Sequence, residues 1–460
     1  TLMRSSAASD VYKRQILINI VCFVRRMLDG DCTGGGYVYL TDVEIKNFKG
    51  IENMRLELQP GFNLIKGENG KGKTSILEAL AVGLGGFIAG IDGVSTRHFT
   101  KDEIRKQYTA VGDASCSYKY CVPVEVSVNA CFKETGEIFS WVRTRNSVQA
   151  SRSTLSPRNI AKMAEELSNN EESELPVLCY QAASRVWSQK REKSENIFHK
   201  KYVRTVGYTD TLQEASNIKL LLNWCVKMEQ VAWQKEKPVA EYEAVKKTVS
   251  NFMRQMNYGK ECRIFYDKQM EELMYQENEL ILPVMDLSAG FQSLIWMVFD
   301  IAYRMAVLNP FLGEKIADTN GVVLIDELDM HLHPKWQWEV IDALRKVFPN
   351  VQFIATTHAP ILFASAKNVW IIDIENGEPA YGYSHYGIDV NTSINYFQKT
   401  NEVPEEIQKV IDLFCDEMDE ENYSQARKIL DDLEKLTAPQ NPILAKLRTR
   451  YEIETAALEE

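Results

Sequence analysis

Residues Gly67 to Thr74 read GENGKGKT, an instance of G-x-x-x-x-G-K-[ST], and the flanking segments decide what it means. FNLIK, ending at Lys66, is an apolar stretch with strand character. ILEALAVGLGGF, starting at Ile76, is helical in propensity and spacing. Strand, glycine-rich loop and helix in that order make an α/β cradle for an anion; a chance glycine- and lysine-rich turn would not need those neighbours. The expected site runs over Asn69, Gly70, Lys71, Gly72, Lys73, Thr74 and Ser75. Gly70 and Gly72 let backbone N–H groups approach phosphates, and the helix N-terminus adds positive potential. Lys73 reaches the β and γ oxygens and Thr74 offers its hydroxyl to Mg2+, so ATP and Mg2+ are the expected ligands.

The partner signal is VVLIDE, Val322 to Glu327, where four apolar residues end in adjacent carboxylates at the carboxyl end of a predicted strand. That is the edge of an α/β sheet where ligands sit. Asp326 would hold Mg2+ through an oxygen or a bound water, and Glu327 would orient or deprotonate the attacking water. Taken alone, solvated acids at a loop would explain the pattern equally well; the upstream glycine loop decides between them. LSAGFQS, Leu287 to Ser293, sets Ser288, Ala289 and Gly290 at a helix N-terminus, which is an anion site in this company and a plain helix cap on its own. VQFIATTH is the nearly continuous apolar run of a central parallel strand and ends at His358. His331 and His333 have a spacing that could suggest a metal, but a loop after the acidic strand, with Pro334 opening the next helix, is the simpler reading.

The 460 residues are 45% hydrophobic and 25% charged, which excludes disorder, collagen and a coiled-coil rod. A formal charge of −11 means that any nucleic-acid contact must come from a local patch. Nine scattered cysteines without metal spacing indicate reduced thiols in the cytoplasm. The early apolar run Ile16 to Val24 is too short for a bilayer and is followed by Arg25 and Arg26, so no membrane partner is expected. TLMRSSAASDVYKRQ at the start resembles translated adapter sequence and is set aside. The native chain is expected to begin between Ile16 and Tyr37.

Five regions follow. Residues 1–36 form an N-terminal extension, and 37–146 an N-terminal lobe carrying the glycine loop. Residues 147–280 are a basic loop and helical insertion, with helices broken at Pro238. Residues 281–387 form a C-terminal lobe with LSAGFQS, the acidic strand, a helix at Lys335 to Phe348 and His358. Residues 388–460 form a helical tail. From Asn401 onward the chain holds 16 Asp plus Glu and 7 Lys plus Arg, so this segment carries −9 of the −11. The segment from Ser140 to Met163 contains Arg143, Arg145, Arg152, Arg158 and Lys162 without an acid, and RVWSQKREK and HKKYVR extend it. It reads either as a phosphate-binding surface for DNA or as a solvated loop balanced by the acids that follow.

Taken together, NFKGI, GENGKGKT, LSAGFQS, VVLIDELDMHLHPKWQ and FIATTHAP resemble the ABC-type P-loop ATPases related to SMC and RecF proteins, over Tyr37 to about Gly387. PVLCYQAASRVW and HLHPKWQ look most like the ATPases of Septu and retron anti-phage systems. Those relatives often have tyrosine-glycine where this chain has Tyr180, Gln181 and Ala182. LSAGFQS departs from the LSGGQ signature at Ala289 and in the extra residue before Gln292. The resemblance implies an ABC-type, SMC/RecF-like ATPase head with a helical insertion and an acidic helical tail. It also implies His358 as the switch histidine that senses the γ-phosphate, and a head-to-tail homodimer in which Ser288 and Gly290 of one copy close ATP on the P-loop of the other. A switch that controls a partner HNH-type nuclease is the first functional expectation; a DNA-binding ATPase of repair or chromosome maintenance is the second. A transporter cassette would bring P-loop and signature closer together. No intrinsic nuclease is expected, since Asp373 and Glu375 read as a turn between strands.

Overall fold

The computed structural model describes residues 38–111, 115–132, 137–186, 203–214, 218–375, 377–393, 403–437 and 441–456. Its centre is a six-stranded sheet in the order Ala380–Tyr383, Trp370–Asp373, Phe62–Lys66, Val351–Thr356, Gly321–Ile325 and Val177–Gln181. All neighbours run parallel except the first pair. Strands buried on both faces are nearly all apolar, as VVLI and VQFIA are; the exception, Gln352, is buried with its amide bonded to the Leu40 backbone. Alternate side chains of one strand enter different cores. Val322 and Leu324 pack with the helix Lys73–Ile88, whereas Val323 and Ile325 pack with Ala240–Met256 and Ala289–Leu308.

The Lys73–Ile88 helix is covered on its other side by a five-stranded antiparallel sheet, ordered Ile51–Glu57, Val38–Phe48, Val124–Phe132, Glu137–Arg145 and Thr154–Ser156. The approach is close because the helix carries glycines there. A Cβ on Gly86 would lie 2.5 Å from the Trp141 ring nitrogen, which donates instead to the Gly83 carbonyl at 2.8 Å. Ala289–Leu308 is, among the described residues, the one helix long and apolar enough to span a bilayer, and it is a core helix here.

Within 147–280 the apolar segment LPVLCYQ forms the strand Val177–Gln181, buried at all five positions, which completes the central sheet beside Gly321–Ile325. The structure differs from the sequence reading in two places. The segment 147–280 also ends in strands. Cys262–Asp267, Glu272–Glu277 and Leu280–Pro283 form an antiparallel sheet just ahead of LSAGFQS, turned by Asp267, whose carboxylate accepts from Gln269 N and Met270 N. The helix expected over Lys335 to Phe348 divides into Pro334–Gln337 and Val340–Val347, with Trp336 of the first piece meeting Phe291 edge-on at 4.4 Å. The tail forms three helices, Glu405–Asp419, Tyr423–Leu436 and Pro442–Ala456, which bury Phe414, Leu430, Leu433 and Leu444 in a core of their own.

Candidate nucleotide site

Four central strands deliver their carboxyl ends to one edge, and the site is assembled there. Lys66 leads into the glycine loop, which turns with Gly70 at φ 81° and with Gly72 at φ 91° as the residue before the helix. A side chain on Gly70 would have open space around it, so its constraint is conformational: L-residues seldom adopt that backbone. Asn69, Gly70, Lys71 and Thr74 are exposed, Gly72 and Ser75 half-buried, and Lys73 buried. The loop therefore offers an open cradle at a helix N-terminus.

The Lys73 ammonium folds over the loop, donating to the Gly67 carbonyl at 2.6 Å and the Glu68 carbonyl at 3.0 Å, and stands 3.5 Å from His358 Nδ1. Burial lowers the Lys73 pKa, against the opposing pull of Asp326, Glu327 and Asp329. His358 is lowered too, by burial first and then by Lys73, so its imidazole is neutral at pH 7 and can both donate and accept. The Thr74 hydroxyl donates to Asp326 Oδ2 at 2.9 Å. A hydroxyl and a carboxylate oxygen side by side at the mouth of a phosphate cradle suit a hard cation that keeps most of its waters, so these residues fit Mg2+.

Asp326 is fixed from three sides. Its other oxygen accepts from the Thr356 hydroxyl at 2.6 Å, and its N–H donates to the Gln181 carbonyl at 2.8 Å. The Thr356 oxygen also accepts from the Glu327 N–H at 2.8 Å. That bond holds Glu327 in a left-handed backbone, φ 48°, which costs a non-glycine residue on the order of 1 kcal/mol or more. Asp329, which the sequence reading passed over, accepts from Thr357 Oγ1 at 2.5 Å and from the His358 N–H at 3.3 Å, and so positions the histidine turn. The signals for these residues were a third acid within ELD and the two threonines of ATTH. Gln181 amide donates to Asp300 at 2.7 Å and Arg304 pairs with Asp300 at 3.0 Å, tying the edge strand to the Ala289–Leu308 helix.

The LSAGFQS turn, the second expected anion site, is built differently. Ser288 is the exposed residue before the Ala289–Leu308 helix, and its side chain makes no cap to that helix; Ala289 is half-buried and Gly290 buried. A Cβ on Gly290 would lie 2.5 Å from the His331 carbonyl, so only glycine lets the helix start sit against the loop after the acidic strand. The Gln292 amide donates to Met285 O at 2.7 Å and Leu287 O at 2.8 Å, which fixes the turn. His333 accepts from Lys335 N and caps the short helix that Pro334 opens, as the loop reading expects.

The arginine-rich stretch needs correction. Arg143 and Arg145 are 1% and 5% exposed. Arg143 donates to the Gly85 and Arg97 carbonyls, and burial pushes its pKa down to about 10; Arg145 donates to Phe99 O and Val148 O. Both side chains are spent on the protein's own carbonyls. Arg204, in HKKYVR, donates to the carbonyls of Leu167, Asn170 and Ser173 and so holds the end of the helix Asn159–Asn169. Arg152, Arg158 and Lys162 remain exposed, and residues 187–202 lie outside the described residues. Asp373 pairs with Lys66 at 2.8 Å and accepts from Glu375 N, as a turn-forming residue does. Gln107 lies exposed on the strand Lys106–Val111.

Fold and site together define the class: an α/β domain with a P-loop between a central strand and a helix and an acidic strand end beside it. Family models agree, one described as "AAA domain" matching residues 42–257 and one described as "AAA domain, putative AbiEii toxin, Type IV TA system" matching 272–364. Among characterised proteins the chain is similar to the "Retron Ec83 probable ATPase" of Escherichia coli, 24% identical across 91% of this chain and 87% of the relative. It is also similar to the Septu protein PtuA of Bacillus mycoides, 28% identical across 70% of this chain and 38% of that longer protein. A solved structure of an Smc head bound to the C-winged helix domain of ScpA aligns with 75% of the chain and 97% of its own length, at 16% identity and a TM-score of 0.48.

Proposed function

We propose that the chain is an ATP-driven dimeric switch of bacterial anti-phage defence, acting in the cytoplasm and controlling a separate nuclease. The observation that carries the switch is an asymmetry. Lys73, Thr74, Asp326 and His358 are wired to one another within the chain, while Ser288 stands exposed at a helix start with its hydroxyl unused as a cap. Two copies packed head to tail would bring Ser288 and Gly290 of each to the γ-phosphate held by the other, so nucleotide would be the glue of the closed state.

In that state the N–H groups of 69–75 and Lys73 bind the phosphates. Asp326 and Thr74 would hold Mg2+, which would supply positive charge against the phosphate oxygens. Glu327 takes a proton from the attacking water, and His358, held by Asp329 and beside Lys73, reports whether the γ-phosphate is present. Hydrolysis then removes the glue. The defence assignment rests on the resemblance to retron and Septu ATPases, and the acidic three-helix tail, with its separate core, is the part we assign to an HNH-type nuclease partner. A repair ATPase binding DNA through Arg143 and Arg145 loses its support with their burial.

The test is light scattering with ATP. Glu327→Gln should give a stable dimer and Lys73→Ala a monomer, and the trapped dimer should retain a nuclease from reconstituted cells. A Glu327→Gln protein that remains monomeric at saturating ATP would reject the switch, and a dimer that retains no nuclease would reject the defence role alone.

A further inference from the structure

Strands Lys106–Val111 and Ser115–Tyr120 form an isolated two-stranded ribbon whose composition is at odds with its exposure. The register sets Lys106 opposite Tyr120 and Tyr108 opposite Tyr118, with Gln107 opposite Lys119 on the other side. Period-two alternation thus collects three tyrosines on one face. Such a face ordinarily covers a core, yet Tyr108 is 64% and Tyr118 51% exposed. The rings contact each other, Tyr108 to Tyr118 at 5.7 Å and Tyr118 to Tyr120 at 5.4 Å edge-on. Lysines lie over them: Lys106 is 5.2 Å from the Tyr118 ring and 5.7 Å from Tyr120, and Lys101 is 5.6 Å from Tyr120.

Nearby acids do not cancel these cations. Glu103 is buried against Arg97 and Glu52 is bonded to Arg105, so among the described residues Asp102 is the acid that stands against Lys101, Lys106 and Lys119. The base of the ribbon is fixed to the head. Arg105 N donates to Asn47 O and Lys49 N to Glu103 O, and Lys49 in turn is bonded to Glu78 of the helix that follows the P-loop.

We propose that this ribbon is a docking platform for single-stranded DNA, whose bases stack on Tyr108 and Tyr118 while Lys101 and Lys106 meet the phosphates. Exposed aromatic faces bordered by amino groups recognise unpaired bases without reading sequence, because every base offers a π-face and every linkage a charge. A duplex hides its base faces and gains only the phosphate contacts. An acidic protein would hold such a strand through this local platform rather than through its overall field.

The experiment is fluorescence anisotropy of the full chain with labelled oligo-dT, oligo-rU and a duplex of equal length, over a salt series. Wild type should bind oligo-dT more tightly than the duplex. Tyr108→Ala/Tyr118→Ala should weaken oligo-dT binding about tenfold or more, with thermal midpoint and ATP turnover retained, and Tyr108→Phe/Tyr118→Phe should restore it. Lys106→Gln should lower the slope of log affinity against log salt by about 0.7, the value for one phosphate contact on a single strand. If the double alanine variant fails to fold, the phenylalanine pair and Lys106→Gln decide the matter. No binding of oligo-dT by wild type, binding of RNA or duplex alone, or an unchanged affinity in the alanine variant would overturn the proposal.

Discussion

The P-loop and the LSAGFQS turn have the same ingredients, a helix N-terminus, a glycine and a hydroxyl, and are finished in opposite ways. At the P-loop the polar groups satisfy one another: Lys73 rests on the Gly67 and Glu68 carbonyls, Thr74 on Asp326, and Thr356 bridges Asp326 to the Glu327 backbone. At LSAGFQS the interior side is locked, with Gly290 against the His331 carbonyl and Gln292 on Met285 and Leu287, while Ser288 is left exposed. The first arrangement can bind nucleotide within one chain. The second leaves an exposed hydroxyl at a helix start, which in the proposed dimer would meet a phosphate presented by another copy.

This contrast can be broken at several points. Glu327→Gln should leave ATP binding in place and cut turnover by roughly 10²–10⁴-fold, the usual worth of a positioned base; a colorimetric phosphate assay beside a nucleotide-binding assay separates the two. Lys73→Ala removes charge-assisted bonds of about 1.5–3 kcal/mol each and should weaken nucleotide binding by about a hundredfold, measured by calorimetry. Ser288→Arg should spare binding by the single chain yet abolish the ATP-dependent dimer and its turnover; loss of binding in that variant would erase the distinction between the two sites. Arg143→Ala should lower stability by about 1–3 kcal/mol, because the Arg97 carbonyl loses the Arg143 donor while the Gly85 carbonyl keeps Thr96 and the Ala89 N–H, and leave DNA affinity unchanged. Its chemical unfolding midpoint is the readout.

The smallest expected effect concerns pH. The His358 pKa is lowered in the folded chain, so the unfolded chain takes up the proton first as pH falls through the ordinary histidine value of about 6.5. The stability that the neutral imidazole contributes is present above that value and is lost as pH drops below it. His358→Gln should therefore show a flatter decline of thermal midpoint between pH 7 and 5 than wild type.

How much of this was readable beforehand depended on the kind of constraint. GENGKGKT and VVLIDE announce themselves because phosphate and metal chemistry demand particular residues at fixed spacing, and the structure brings Lys73, Thr74, Asp326 and His358 within bonding reach of their partners. Asp329 and Thr356 escaped notice because they act on other protein groups, and a residue that positions its neighbour carries no spacing rule of its own. The sheet at Cys262–Pro283 was hidden for another reason: its strands are short, and MYQENEL mixes charge with apolar residues so evenly that periodicity gives no answer. Arg143 and Arg145 misled because a run of arginines without acids has the same composition whether the guanidinium groups face water or fill carbonyl-lined gaps. Only the packing of the Lys73–Ile88 helix on its antiparallel sheet distinguishes the two.

Whether each catalytic site is shared between two copies is tested by mixing two inactive proteins. Lys73→Ala lacks a working P-loop and Ser288→Arg lacks a working signature, so each alone should turn over little ATP. A mixed dimer contains one site built from the intact P-loop of the second and the intact Ser288 and Gly290 of the first, and turnover should reappear on mixing. A mixture no more active than its two components, or full activity in Ser288→Arg alone, would contradict the shared site.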